Sequence, residues 1–370
     1  HYSNPIAMEV DEVNGICHIL QTNPSGWEVA YWNFDGTNFG EIYGMMSSYP
    51  DQDVPGHGIP GRFRHNATKG ADLAVSADGG EVTVATLHPF QQVFLHKGAF
   101  GGEIWADDFD FGIDDGSIVG LFTTDTTAND NYATIPNNDT KPYISVQVKY
   151  DDDGGLHVAY DATYMDVWVD STGWYGYVDG WMNNFGPTAG DTMAVFYDGT
   201  EHPKPQIRYW NETMPTPAAT SLDHELVAEC MYPLPGEKYE WYDFGVPDSG
   251  LATWGKFYSS GPIENMDMVV NASPADGEPS MLVVWEEMQG DNIMVLTDST
   301  TAFSANYIAY HKDLKISVKK DGMWTAPYNI TQTENLDETD VSVYKDVVDN
   351  KIHMMYFQDP YAGQDRILTY

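Results

Sequence analysis

Asn14-Gly15-Ile16-Cys17-His18-Ile19-Leu20, Gly154-Gly155-Leu156-His157-Val158-Ala159-Tyr160 and Asn350-Lys351-Ile352-His353-Met354-Met355-Tyr356 are three versions of one phrase: a turn, an aliphatic residue, a histidine and an apolar strand. His18 and His157 lie 139 positions apart, and His157 and His353 lie 196 apart. Read as two units of about 70 residues and three of about 65, these intervals call for similar strands at the intermediate phases, and residues 81–87, 225–231 and 280–286 supply them. A repeat this long, made of strands alone, favours radially arranged sheets over a stacked solenoid.

The rest of the chain agrees. No segment sustains the 3.6-residue periodicity of a long helix, whereas short alternating runs rich in Val, Ile, Tyr and Trp recur between Gly, Asp, Asn and Pro. Asp-Gly occurs at Asp35, Asp78, Asp115, Asp153, Asp198, Asp276 and Asp321, a dipeptide suited to tight hairpins because both positions tolerate positive φ. The expected fold is all-β: a single β-propeller over residues 1–370, with six blades of four antiparallel strands at roughly 5–46, 71–112, 142–197, 205–258, 266–331 and 340–370.

Charge narrows the function. The 370 residues carry 56 Asp and Glu against 17 Lys and Arg, a formal net charge of −39. Such a surface repels nucleic acid and anionic membranes, and no apolar run is long enough to span a bilayer. Cations, neutral glycans and other proteins suit it. A chain that starts at His1 is expected to be a secreted, extracellular product whose signal peptide has been removed. Sequons at Asn66, Asn138, Asn211, Asn271 and Asn329 are compatible with export and glycosylation. Cys17 and Cys230 are the only cysteines, and either a disulfide or two buried thiols satisfies them.

A second repeated feature is an acidic turn followed by an aromatic ring: Asp35-Gly36-Thr37-Asn38-Phe39, Asp170-Ser171-Thr172-Gly173-Trp174 and Asp321-Gly322-Met323-Trp324. Each is expected to cap an outer hairpin and tuck its ring between sheets. Together with Ser76-Ala77-Asp78-Gly79-Gly80, these turns resemble degenerate Asp-boxes of the sialidase-like, or BNR-repeat, β-propellers of the secreted bacterial type. The resemblance implies a propeller and export. It does not extend to sialidase chemistry, because that family clamps its substrate with three arginines and this chain has only Arg62, Arg64, Arg208 and Arg366.

Three places invite chemistry. The repeated histidines are symmetrically spread by the repeat itself, so they read as inter-strand hydrogen-bonding groups, not metal ligands. Residues 107–116 place Asp108, Asp110 and Asp115 in an oxygen-rich loop with glycines, a pattern suited to calcium; no organic cofactor is expected. Residues 49–70 are rich in Pro and Gly and carry His57, Arg62, Arg64 and His65, a cationic cluster suited to an anionic sugar such as a uronate. With no carboxylate pair visible, the leading expectation is a non-catalytic recognition or self-assembling module whose partner is an extracellular glycan or a further copy of the chain. The alternative is a polysaccharide-active lyase or glycoside hydrolase working at residues 49–70.

Overall fold

The computed structural model describes residues 4–22, 29–40, 43–45, 70–88, 92–99, 118–123, 140–163, 166–167, 192–193, 195–196, 205–230, 242–243, 257–258, 263–271, 274, 278–297, 306–333, 336–344, 351–359 and 367–369. Among them the only helix is one 3-10 turn, Ser221–Asp223, capped by Thr220.

The strands follow the chain in radial sheets. β1 (Asn4–Asp11), β2 (Ile16–Thr22), β3 (Val29–Phe34) and β4 (Tyr43–Met45) form the first antiparallel sheet in that order. β5 (Ala71–Val75), β6 (Glu81–His88), β7 (Gln92–Ala99) and β8 (Ile118–Gly120) form the second. The third joins β9 (Lys141–Tyr150) and β10 (Leu156–Thr163) to β14 (Gln206–Asn211) and β15 (Glu225–Glu229). Between β10 and β14, the short strands β11 (Asp166–Val167), β12 (Thr192–Met193) and β13 (Val195–Phe196) make separate pairs; β11 joins β13, and β12 joins β16 (Tyr242–Asp243). The fourth sheet contains β17 (Phe257–Tyr258), β18 (Ile263–Val270), β19 (Met281–Thr297) and β20 (Asn306–Lys320), with β21 (Met323–Trp324) and β22 (Tyr328–Asn329) added beside β20. A shorter sheet of β23 (Asp337–Val343), β24 (Met354–Asp359) and β25 (Ile367–Thr369) follows.

The core shows why this is propeller-like. Each apolar cluster lies between consecutive sheets. Ile16, Leu20 and Tyr31 meet Leu73, Val82 and Val84; Leu87 and Leu95 meet Val146, Val158 and Tyr160. Ile207 and Tyr209 meet Met268 and Trp285, and Val284 and Leu314 meet Val341 and Val343. A sheet sandwiched on both faces needs apolar residues on both, so β5 is buried throughout as Ala71-Asp72-Leu73-Ala74-Val75.

The blade count is corrected. Among the described residues there are four sheets of four or more strands, a three-stranded one and two two-stranded pairs, not six four-stranded blades. Register explains the miscount: β10 pairs directly with β14, His157 opposite Asn211, so the proposed units 142–197 and 205–258 share one sheet. The 139-residue interval does span two units, from the first sheet to the third. The 196-residue interval also spans two sheet steps, not three, lengthened by inserted segments.

Turn chemistry fits the Asp-Gly dipeptides. Asp321 and Gly322 both have positive φ, 52° and 76°, as a tight hairpin requires. Gly79, at φ 70°, also lies so close to the first sheet that a Cβ there would come within 2.5 Å of Asn14 Nδ2 and 2.7 Å of the Asp11 carboxylate.

Candidate active site

The inner strands β1, β5, β9, β18 and β23 pack successively side by side, bringing one ionisable residue from each of four sheets together. Asp72 on β5 accepts the Val148 amide at 2.9 Å and faces Lys149 Nζ at 3.5 Å, both on β9. Asp267 on β18 repeats the device one sheet further round, accepting Val343 N on β23 at 2.7 Å through Oδ2 and Met268 N at 2.8 Å through Oδ1. In both cases an inner-strand carboxylate clamps the backbone of the next sheet. Burial works against the Lys149 ammonium, but Asp72, then Glu9 on β1, then Asp267 overcome it and hold its pKa above the ordinary lysine value. Burial pushes the Asp267 carboxyl up to about 6 against the pull of Lys149 and the Val343 amide. The Lys149 side chain is 21% exposed and that of Asp72 7%, so the group reaches solvent on the lysine side.

Two carboxyl groups flanking one fixed cation, one of them still partly protonated near pH 6, can divide acid and base roles. Sequence reading missed them because Asp72 and Asp267 are 195 positions apart. The signal available was a charge flanked on both sides by large or apolar residues, as in Ala71-Asp72-Leu73, Val148-Lys149-Tyr150 and Met266-Asp267-Met268, where burial is costly unless partners are built in.

Two of the three repeated histidines, His18 and His157, bond between strands. His18 Nδ1 meets Tyr31 Oη at 2.7 Å and His157 Nδ1 meets Tyr209 Oη at 2.6 Å, each from the second strand of a sheet to the third. The other ring nitrogen faces an aspartate at or just past the end of the preceding strand, Asp11 at 3.9 Å and Asp151 at 3.0 Å. The partners form a further repeat that the sequence carries openly, Tyr31-Trp32-Asn33 and Tyr209-Trp210-Asn211, with His18 opposite Asn33 and His157 opposite Asn211.

Other expectations resolve unevenly. His57, Arg62, Arg64 and His65 lie outside the described residues, as do Asp108, Asp110 and Asp115, the sequons Asn66 and Asn138, and the turn at Asp170. Of the two alternatives for the cysteines the structure has the thiols: Cys17 on β2 and Cys230, just after β15, are free, and burial pushes both pKa values up. At the three described sequons the amide that would carry a glycan already donates within the fold, Asn211 to Tyr209 Oη at 3.0 Å, Asn271 to the Pro279 carbonyl at 3.0 Å, and Asn329 to Asp313.

Of the acidic turns, Trp324 does reach the neighbouring sheet, donating to Glu225 at 3.0 Å and meeting Tyr209 edge-on. Phe39 instead lies on its own sheet, stacked on Phe34 and 64% exposed. The Ser76–Asp78 turn joins the inner pair β5 and β6, held by Ser76 Oγ donating to Asp78 at 2.7 Å.

No known sequence family and no curated protein matches the chain. Solved structures do match. A GH62 hydrolase in complex with xylotriose aligns over 99% of this chain and 88% of its own, at 10% identity and a TM-score of 0.40. An α-L-arabinofuranosidase from Lactobacillus brevis aligns over 98% and 85%, at 9% identity and 0.37. The fucose-specific lectin of Aleuria aurantia aligns over 100% and 95%, at 9% identity and 0.26. The matches concern overall arrangement and do not identify a sialidase-type repeat. The expectation of a non-catalytic module is corrected to this extent: glycoside hydrolases stand beside lectins among the matching structures.

Proposed function

We propose that this chain is a carbohydrate-active enzyme, a glycoside hydrolase acting on an extracellular polysaccharide, with Asp72, Lys149 and Asp267 at its working centre. The observation that carries the reading is the pairing of unlike carboxyl environments. Asp267 is pushed up to about 6 by burial, while Asp72 stands 3.5 Å from an ammonium. Glycosidic cleavage needs one carboxylic acid to protonate the leaving oxygen and one carboxylate to support positive charge at the anomeric carbon or direct water. Asp267 supplies the first role and Asp72 the second; Lys149 is a positioning residue that holds the Asp72 carboxylate in place. A strongly acidic surface favours neutral over anionic glycans, in keeping with an extracellular setting and a glycan partner.

The test is a depolymerisation screen over neutral and uronate-containing polysaccharides, comparing the wild type with Asp267→Asn and Asp72→Asn. New reducing ends from the wild type that both variants lose support the hydrolase. Unsaturated uronate absorbance, unaffected by Asp267→Asn, would instead favour a lyase working elsewhere in the chain.

A further inference from the structure

Each inner strand turns a pair of alternate apolar residues toward the sheet before it. Leu73 and Val75 on β5 face the first sheet, and Val146 and Val148 on β9 face the second. Met266 and Met268 on β18 face the third, and Val341 and Val343 on β23 face the fourth; all eight are buried. β1 carries the same pair. Ala7 packs toward the second sheet, so alternation turns Met8 and Val10 the other way, where they are 67% and 51% exposed. Register extends this face across the sheet, with Ile19 and Trp32 beside Met8 and Cys17 and Phe34 beside Val10.

The last sheet has a matching free face. Val341, Val343, Met354 and Tyr356 pack on the fourth sheet, which leaves Ser342 and Met355, paired in register, exposed on the other side. Among the described residues four apolar clusters join the five sheets in succession, and none joins the last sheet to the first. Polar clamps run the same way round. Val148 N on β9 donates to Asp72 on β5 at 2.9 Å, Met266 N on β18 to Ser145 Oγ on β9 at 3.2 Å, and Val343 N on β23 to Asp267 on β18 at 2.7 Å. Asp72 lies between Ala71 and Leu73, and Asp267 between Met266 and Met268; Ser342 lies between Val341 and Val343 in the same way.

We propose that the five sheets close into a ring, the Ser342–Met355 face of the last sheet seating on the Met8–Val10 face of the first. The repeat names the occupant: at the other four seams the apolar pair of an inner strand is covered by the preceding sheet, and the sheet that precedes the first around a ring is the last. Belonging to the same chain, it is present at an effective concentration that a second copy has to match, and a net charge of −39 sets two copies against each other. Contact between the faces removes Met8, Val10 and Met355 from water and gives Ser342 Oγ an amide of β1 to accept. Closure sets β23 beside β1 and completes the circle of inner strands around Lys149. It holds whether or not the group at Lys149 is catalytic.

Cys17 reports on closure, because it is a free, half-buried thiol on the open face of the first sheet, whereas Cys230 is buried and checks that the fold is intact. Maleimide labelling of the full chain is timed by mass spectrometry for the wild type, Met355→Asp and Ser342→Lys. Both substitutions put a charge on the last sheet at an exposed position, so a second variant remains if one folds poorly. Closure predicts that Cys17 reacts about 10-fold or more slowly in the wild type than in either variant, with Cys230 unlabelled throughout. That protection should be the same at every protein concentration. Equal Cys17 rates in the wild type and both variants would overturn the proposal. So would protection that grows with protein concentration, which would mean that a second copy covers the face.

Discussion

Replacing Lys149 with Met keeps the side chain's length and apolar stem while deleting the charge that three carboxylates face. Breaking a buried ion pair from one side typically costs about 3–5 kcal/mol because the partner is left uncompensated. The Lys149 side chain is 21% exposed, so solvent recovers part of this and a cost of roughly 2–4 kcal/mol is expected. At roughly 2 °C per kcal/mol for a chain of this size, the melting temperature should fall by roughly 4–8 °C. The pH dependence is the sharper signature. Asp267 is pushed up to about 6, so at pH 5 it holds its proton and loses little when Lys149 goes, whereas at pH 8 it is charged and loses an attraction. The gap between wild type and Lys149→Met should therefore widen from pH 5 to pH 8 in scanning fluorimetry or calorimetry. A gap constant across that range, or smaller than about 1 kcal/mol throughout, would refute the assignment of Lys149 as the shared counter-ion.

The His18–Tyr31 contact predicts acid sensitivity: burial pulls His18 down to about 4, so the stability it contributes above pH 6.5 should be lost as pH falls toward 4. Tyr31→Phe strands the buried His18 ring and Tyr209→Phe the half-buried His157 ring; each should cost about 1–3 kcal/mol by denaturant titration, Tyr31→Phe the more. For the calcium expectation at residues 107–116, millimolar calcium should raise the melting temperature over EDTA, and combined Asp108→Ala and Asp110→Ala should abolish the rise. No calcium effect on the wild type would end that expectation.

The strands were legible because sheets buried on both faces leave short, mostly apolar runs on either side of an Asp-Gly turn, as in Leu73-Ala74-Val75 before Asp78 and Val82 through Leu87 after it. Blade number was less legible. The segment between Thr163 and Gln206 is long enough to imitate a blade's outer strands, and only the pairing of Val158 with Trp210 shows that it interrupts a sheet. The Tyr-Trp-Asn repeat was available in plain sight and marks homologous third strands more surely than the histidine spacing does. The candidate site was the least legible part. Each member is a charge flanked by apolar or aromatic residues, and its partners come from other sheets, so no local spacing announces them.

The proposed activity stands or falls on Asp267. Purified wild type and Asp267→Asn, both checked for unchanged circular dichroism, should be assayed side by side for reducing ends released from a panel of polysaccharides at pH 5–6. Loss of a general acid predicts a drop of about 100-fold or more in the variant, with Asp267→Asn still binding the glycan the wild type cleaves. A variant that retains full activity, or a wild type that cleaves nothing in the panel while binding glycan unchanged, would contradict the account.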